Sequence, residues 1–440
     1  MKLKPGSRLF AILLSGLLQS PDVAHAGDLV APDRIGRLDA PKSFSFRVLT
    51  VHSNNNAQPK FAAGMAALYE KYAHTHPDWR VNIQLMSLQI PQEHARLLEQ
   101  ARSGTAPDCS AVDSFEVPLF IRAGVLQPID QYFTKEEIDD LFPFIRPIVS
   151  DAEGHIYAWW WTTDLRLLYR NTALVPDPPR TWQETKQAAM AAKRAAGPGL
   201  EGFLFNGGRN ETTTVDFLPQ FWAQGGKLVD ERGTPVFGQE PNRTYLLNAI
   251  AFYRDLIQSG ASPARVASIS NYDDLTAASI SGSTAMMVNG DWAMSQMRAA
   301  MKPETFAKWA VSMLPGPTAD QRSTASGGWT FASFSKDPVK VKACMDLVRE
   351  VYMGPATEVL ERLPTRQSEF NSLPMFRTDF YLQIKQYLKL GQARPGLPIY
   401  TEISNRLQIA ISEALAGTRT PEAAVDEAVD QVAKAAARYQ

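Results

Sequence analysis

Chemistry in this 440-residue chain is concentrated where tryptophan stands beside carboxylates, amides and arginine. Met286-Met287-Val288-Asn289-Gly290-Asp291-Trp292 runs an apolar strand into a turn that ends on a carboxylate and an indole. Trp159, Trp160 and Trp161 follow one another directly and lead into Thr162-Thr163-Asp164. Successive strand residues point to opposite faces, so at least one of the three indoles is expected to face a groove. In Gly327-Gly328-Trp329 two glycines allow close approach of a ligand or another backbone. Asp113 closes the short run Cys109-Ser110-Ala111-Val112. Such groups suit a pyranose: aromatic faces stack on its C–H face, and Asp, Asn and Arg make paired hydrogen bonds to neighbouring hydroxyls. The rings supply buried area at low entropic cost, whereas each unmatched buried hydroxyl costs roughly 1–3 kcal/mol, which is the source of selectivity.

Signs of catalysis are weaker. No GxSxG elbow, HExxH helix, phosphate-binding loop or dinucleotide fingerprint stands in the right context. His25, His52, His74, His76, His94 and His155 show no metal-ligand spacing, and neither a metal nor a cofactor is implied. The reading is a binding protein and not an enzyme. A glycoside hydrolase stays as an alternative, because its two facing carboxylates carry no local signature.

The elements that must position these groups alternate. Phe44 to Val51 reads as a strand, Phe61 to Ala73 as a helix with Phe61, Met65, Leu68 and Tyr72 on one stripe, Val81 to Leu88 as a strand, and Glu93 to Ser103 as a helix. Such alternation implies a mainly parallel sheet covered on both faces. Ligands of such sheets settle beyond the carboxyl ends of the strands, which makes the first-strand loop, with His52 and Asn54, a site candidate. Its Asn residues also suit ordinary turns. Thr181 and Glu184 form a capping box, Asn242 to Ser259 an amphipathic helix, and Ile403 to Ala414 a last helical stretch before Gly417.

The amino terminus has the form of an export signal: Lys2, Lys4 and Arg8, an apolar run from Leu9 to Leu18, and Ala24-His25-Ala26 before the cut. Ten apolar residues are too few for the roughly 30 Å membrane core, which needs about 20. No cysteine near the cut takes a lipid, so a free periplasmic protein is expected. Losing residues 1–26 removes three basic residues and the single acid Asp22, moving the formal charge from −1 to −3. A balanced surface argues against nucleic acid, which needs a concentrated basic face. The length favours two domains over one core. Cys109 and Cys344, the two cysteines, can pair in an oxidising compartment or remain buried thiols.

Taken in order, Gly104-x-Ala106-Pro107-Asp108, Gly124-Val125-Leu126-Gln127-Pro128-Ile129-Asp130, Pro178 to Glu184, Ala285 to Trp292 and Leu314-Pro315-Gly316-Pro317 to Gly328 resemble the extracellular solute-binding protein family 1, the sugar-binding components of ABC importers. The resemblance runs from about residue 44 to the carboxyl terminus. It implies a periplasmic-binding-protein-like α/β fold, two lobes joined by a hinge with the ligand cleft between them. Residues 40–150 plus 315–360 would form lobe 1, and 151–314 plus 361–440 lobe 2. It implies capture of a mono- or oligosaccharide by a monomer and delivery to ABC permease subunits in the membrane; a non-sugar solute such as a polyol phosphate is the alternative. The cleft residues it implies are His52, Asn54, Asp113, Trp161, Thr163, Asp164, Arg209, Asp291, Trp292, Gly328, Trp329 and Arg366, with Trp292 and Trp329 as stacking faces from opposite lobes. An Asn-rich first loop without Trp or Lys, and Ser404 where a stacking aromatic is expected, point away from maltodextrin.

Overall fold

The computed structural model describes residues 29–87 and 90–437, so the expected export signal and Leu88 lie outside the described residues. Among the described residues there are twelve strands: β1 Val30–Ala31, β2 Arg34–Ile35, β3 Lys42–Leu49, β4 Trp79–Met86, β5 Cys109–Asp113, β6 Ala158–Asn171, β7 Glu201–Leu204, β8 Thr284–Gly290, β9 Trp309–Ser312, β10 Thr324–Ser333, β11 Leu363–Pro364 and β12 Gly391–Ala393. Their main order is β1-β2-β4-β3-β5-β10-β6-β8-β7.

Phe44, Phe46 and Val48 enter the core from alternate positions of β3, and Val81 and Ile83 do so from its parallel neighbour β4. Helix Pro59–Thr75 covers them with Phe61, Met65, Tyr69 and Tyr72, one stripe at helical spacing. The strands that join the two halves depart from the expected parallel pattern. β10 runs antiparallel to both β5 and β6. The first half of β6, to Leu165, pairs with β10; from Arg166 onward it pairs with β8 and β9 instead. One strand thus belongs to two sheets, each covered by its own helices, and two α/β lobes share it. β11 on β6 and β12 on β10 bring later segments back to the same junction.

Gly328 shows why glycine stands at the crossing. Its φ is +143°, and a Cβ there would lie 2.0 Å from the Thr162 carbonyl oxygen, at the register shift between β10 and β6. Cys109 and Cys344 form a disulfide with a Cα separation of 5.9 Å, tying the start of β5 to helix Pro338–Leu347. The Thr181/Glu184 capping box is present. Helix Pro421–Ala436, absent from the sequence reading, is capped by Thr420 and buries Ala424, Val425, Ala428 and Val432; its alanine-rich face gives a weak apolar signal.

Candidate functional site

The junction of β6 and β10 gathers the aromatic and charged residues. His52 ends a single 3₁₀ turn, Thr50–His52, directly after β3. Its ring meets Trp161 edge-on at 5.0 Å between centroids and Trp329 at 6.0 Å. Both His52 and Trp161 are buried, yet His52 Nδ1 and Trp161 Nε1 have no hydrogen-bond partner. Burial, reinforced by the charge of Arg362, holds the His52 pKa well below the usual imidazole range, so the ring is neutral. Trp329 stands between Asp113 on β5 and Thr162 on β6 in the sheet register. The Asp113 amide donates to His94 Nε2 at 3.2 Å, and burial, then Arg47, pushes His94 down to about 3.

Two buried guanidiniums organise the carboxylates. Arg394, just past β12, donates from Nη2 to Asp113 Oδ1 at 3.0 Å and from Nη1 to Glu211 Oε1 at 3.1 Å, and lies 4.3 Å over the Phe115 ring. Tyr400 Oη donates to the same Glu211 oxygen at 2.6 Å, and Ser404 Oγ donates to the other. Arg166, at the switch point of β6, donates from Nη1 to Asp164 Oδ1 at 2.5 Å and from Nε to Asp216 Oδ1 at 3.1 Å. Asp216 also accepts from Tyr272 Oη at 2.7 Å and Asn206 Nδ2 at 2.9 Å. Gly327 lets the two groups meet: a Cβ there would stand 2.8 Å from Arg394 Nη2 and 3.4 Å from Asp164 Oδ1. Each guanidinium thus bridges two carboxylates through charge-assisted hydrogen bonds, which are strong and directional.

Burial pushes Asp113 and Asp216 up to about 6, and Glu116 and Asp291 up to about 7. Neighbouring carboxylates add to the rise at Asp113, Glu116 and Asp291. Asp291 Oδ1 accepts the Leu165 amide at 3.1 Å. Trp292 opens helix Ala293–Ala300 and folds its ring over Gly290, where a Cβ would fall 2.0 Å from the indole. The Arg166 guanidinium lies 5.0 Å from the Trp292 ring, and Tyr272 meets that ring edge-on at 5.0 Å. A chain of contacts therefore links aromatic rings and charged groups of the two sheets, from His52 and Trp329 through Asp113, Arg394, Gly327 and Asp164 to Arg166 and Trp292. Among the described residues no trio of His, Cys, Asp or Glu is arranged to hold a metal ion, and no helix is long and apolar enough to cross a membrane.

Residues 54–349 match the family model described as bacterial extracellular solute-binding protein. The chain belongs to that family. A probable ABC transporter-binding protein of Deinococcus radiodurans is 25% identical to this solute-binding protein over 375 residues, 79% of this chain and 85% of the relative. A maltotriose-binding protein of Pyrococcus abyssi is 23% identical, over 56% of this chain and 50% of its own. Among solved structures, maltose-bound MalE3 of T. maritima superposes with a TM-score of 0.76 at 24% identity, covering 89% of this chain and 98% of that one. A solute-binding protein of Thermotoga lettingae bound with alpha-D-tagatose gives 0.75 at 24% identity, with 89% and 99% covered. These likenesses establish the two-lobed fold.

The structure separates the expected site residues of this solute-binding protein. His52, Asp113, Trp161, Asp164, Asp291, Trp292 and Trp329 meet at the junction. Thr163 turns its hydroxyl into the crossing, donating to the Gly327 carbonyl at 3.0 Å, and Gly328 answers the steric demand of β6. Asn54 donates to the Ala31 carbonyl at 3.1 Å and fastens the loop to β1. Two residues stand elsewhere, a correction to the sequence reading. Arg209 is exposed and pairs with Glu413 at 3.0 Å. Arg366 bonds Glu369 through Nε at 3.0 Å, three residues along its own segment. The hinge arginine that acts on Asp291 and Asp164 is Arg362, whose buried Nε has no partner. Trp159, Trp160 and Trp161 are all buried, so none of the three indoles faces an open groove as the alternation of faces led one to expect: Trp159 stacks on Phe133 at 4.0 Å, Trp160 donates to the Thr162 carbonyl at 2.8 Å, and Trp161 meets His52 and Tyr352 edge-on. Arg166, Glu211, Asp216, Tyr272, Arg394 and Tyr400 escaped sequence reasoning; of these only Arg166, a charge within the apolar run of β6, left a visible signal.

Proposed function

We infer that this protein captures a sugar between its lobes and delivers it to the permease subunits of an ABC importer. The observation that carries the reading is one constellation drawn from both sheets. Trp329 and Asp113 come from the β5/β10 side and Trp292 and Asp291 from the β8 side, while the buried Trp161 Nε1 and His52 Nδ1 between them have no partner within the protein. A sugar provides ring faces for the indoles and hydroxyls for the carboxylates and guanidiniums. Contacts that exist only when both lobes meet would stabilise the closed form, and the permease would recognise that form. The tagatose, maltose and maltotriose named for relatives and structural neighbours agree with this ligand class.

The two lobes follow residues 40–150 with 315–360 and 151–314 with 361–440, except that β6 up to Leu165 pairs with β10 of the first lobe; the change of partners at Leu165/Arg166 supports moving that passage from residue 150 into β6. No bond is made or broken, and the mature chain is a periplasmic monomer without a lipid anchor. The test is the thermal midpoint of the purified mature protein against mono- and oligosaccharides. Ligand at about 100 times its dissociation constant adds roughly 2.7 kcal/mol. A rise with one sugar, lost in Trp292→Ala, is expected; no rise with any sugar overturns the carbohydrate assignment.

A further inference from the structure

The charges at the lobe junction do not balance. Asp113, Glu116, Asp164, Glu211, Asp216 and Asp291 bring six carboxylates to it, whereas Arg166, Arg362 and Arg394 bring three guanidiniums. Arg394 is already shared by Asp113 and Glu211, and Arg166 by Asp164 and Asp216. Part of the surplus is relieved by proton uptake, since burial raises the pKa of Asp113, Glu116, Asp216 and Asp291; the charge that stays ionised is not compensated by hydroxyl groups, which can hydrogen-bond the carboxylate oxygens but bring no charge. A second, independent feature points the same way. Asn206 is buried at 4% exposure, and its Nδ2 is fixed on Asp216 Oδ2 at 2.9 Å, which settles the orientation of the amide. Its Oδ1 is consequently an acceptor without a donor, beside a carboxylate that is itself an acceptor. The groups left over at this end of the site call for a donor that also carries positive charge, while Trp161 Nε1 and Arg362 Nε call for acceptors such as ring or hydroxyl oxygens.

We propose that the ligand is an amino sugar with a free, protonated amine, held with its ammonium group among the surplus carboxylates and its ring faces on the tryptophans. The proposal rests on the sugar-capture reading above and narrows it. A free ammonium donates three hydrogen bonds and supplies the missing charge; acetylation removes both properties while leaving the ring unchanged.

The experiment uses the wild-type mature protein and matched sets in the gluco, galacto and manno configurations: the free hexosamine, its N-acetyl derivative and the parent hexose, each also as a β-1,4-linked disaccharide where one exists. Thermal midpoints at pH 7 select the responding set, and calorimetric titration then gives its dissociation constants. We expect the free-amine member to bind at least tenfold tighter than either matched partner. A neutral or N-acetylated member that binds as tightly or tighter overturns the amino-sugar proposal and leaves sugar capture standing. No response to any set overturns the amino-sugar proposal, and sugar capture falls with it only if the wider panel of mono- and oligosaccharides also leaves the midpoint unchanged. Putrescine, a diamine without a ring, is the control; if it matches the amino sugar, the cation alone is being read and the sugar assignment falls.

Discussion

Replacing Gly290 with alanine tests the placement of the Trp292 ring without deleting any group that would touch a ligand. Gly290 ends β8 without a left-handed φ, so alanine meets no backbone strain there and, by conformational preference alone, would stabilise the strand by roughly 0.5–1 kcal/mol. The obstacle is the ring. The new Cβ would stand 2.0 Å from Trp292 Cζ3, 2.1 Å from Cη2 and 2.4 Å from Cε3, whereas carbon atoms in contact sit about 3.5–4.0 Å apart. The indole has to retreat by about 1.5 Å, away from its seat against Arg166 and Tyr272. Overpacking of this kind costs about 1–3 kcal/mol of stability. A misplaced stacking face should weaken sugar binding by about tenfold or more, each tenfold being about 1.4 kcal/mol. Urea unfolding of the unliganded protein and calorimetric titration with the responding sugar read the two effects. The double variant completes the cycle: once Trp292→Ala has removed the ring, adding Gly290→Ala should cost less than about 0.5 kcal/mol in either measurement. Gly290→Ala behaving as wild type, or its penalty persisting in full without the ring, would refute the reasoning.

Protonation gives a further prediction, because the acids with raised pKa values (Asp113, Glu116, Asp216 and Asp291) bind protons in the folded state at a pH where the unfolded chain does not, so folding strengthens as pH falls from 8 to 5. His52 and His94, held neutral when folded, oppose this below about pH 6.5, His94 by roughly 2 kcal/mol at pH 5, against roughly 2–3 kcal/mol from Asp291 alone. The net expectation is higher stability at pH 5 than at pH 8 in urea unfolding, with a smaller rise in Asp291→Asn; a stability that falls steadily from pH 8 to 5 contradicts it. Replacing Cys109 and Cys344 together by alanine should cost about 2–5 kcal/mol in denaturant unfolding while sugar affinity stays within about threefold, since the bridge joins the start of β5 to helix Pro338–Leu347, which packs on neighbouring β3; lost binding in the folded variant would contradict that reasoning. Arg209→Ala removes an exposed ion pair and should change stability by less than about 0.5 kcal/mol and leave the dissociation constant unchanged; a tenfold loss of affinity would restore the residue to the site.

Local patterns carried the fold a long way. The Phe61–Tyr72 stripe, the Thr181/Glu184 capping box and the Met286–Val288 strand are all decided within a few residues, and the structure holds each of them. Antiparallel pairing at the junction was not legible, because β6 and β10 meet across more than 150 residues of chain and the two tasks of β6 leave no mark on its apolar run. The same distance explains the site. Trp292 and Asp291 announce themselves by standing together in a turn, but Arg394 owes its place to Asp113 and Glu211, partners that come from distant segments. Arg366 and Arg362 show the limit most directly: they lie four residues apart on either side of β11, yet Asp291 and Asp164 feel the charge of Arg362 while Arg366 is held by Glu369.

Small-angle X-ray scattering of the mature protein with and without its responding sugar tests the central claim most directly, because it reads closure itself. The account predicts a smaller radius of gyration at saturating sugar, with Trp292→Ala and Trp329→Ala each needing at least tenfold more sugar to reach it. Tight calorimetric binding with no change in the radius of gyration, or both variants closing at the wild-type sugar concentration, would contradict a sugar held between the lobes by residues of both.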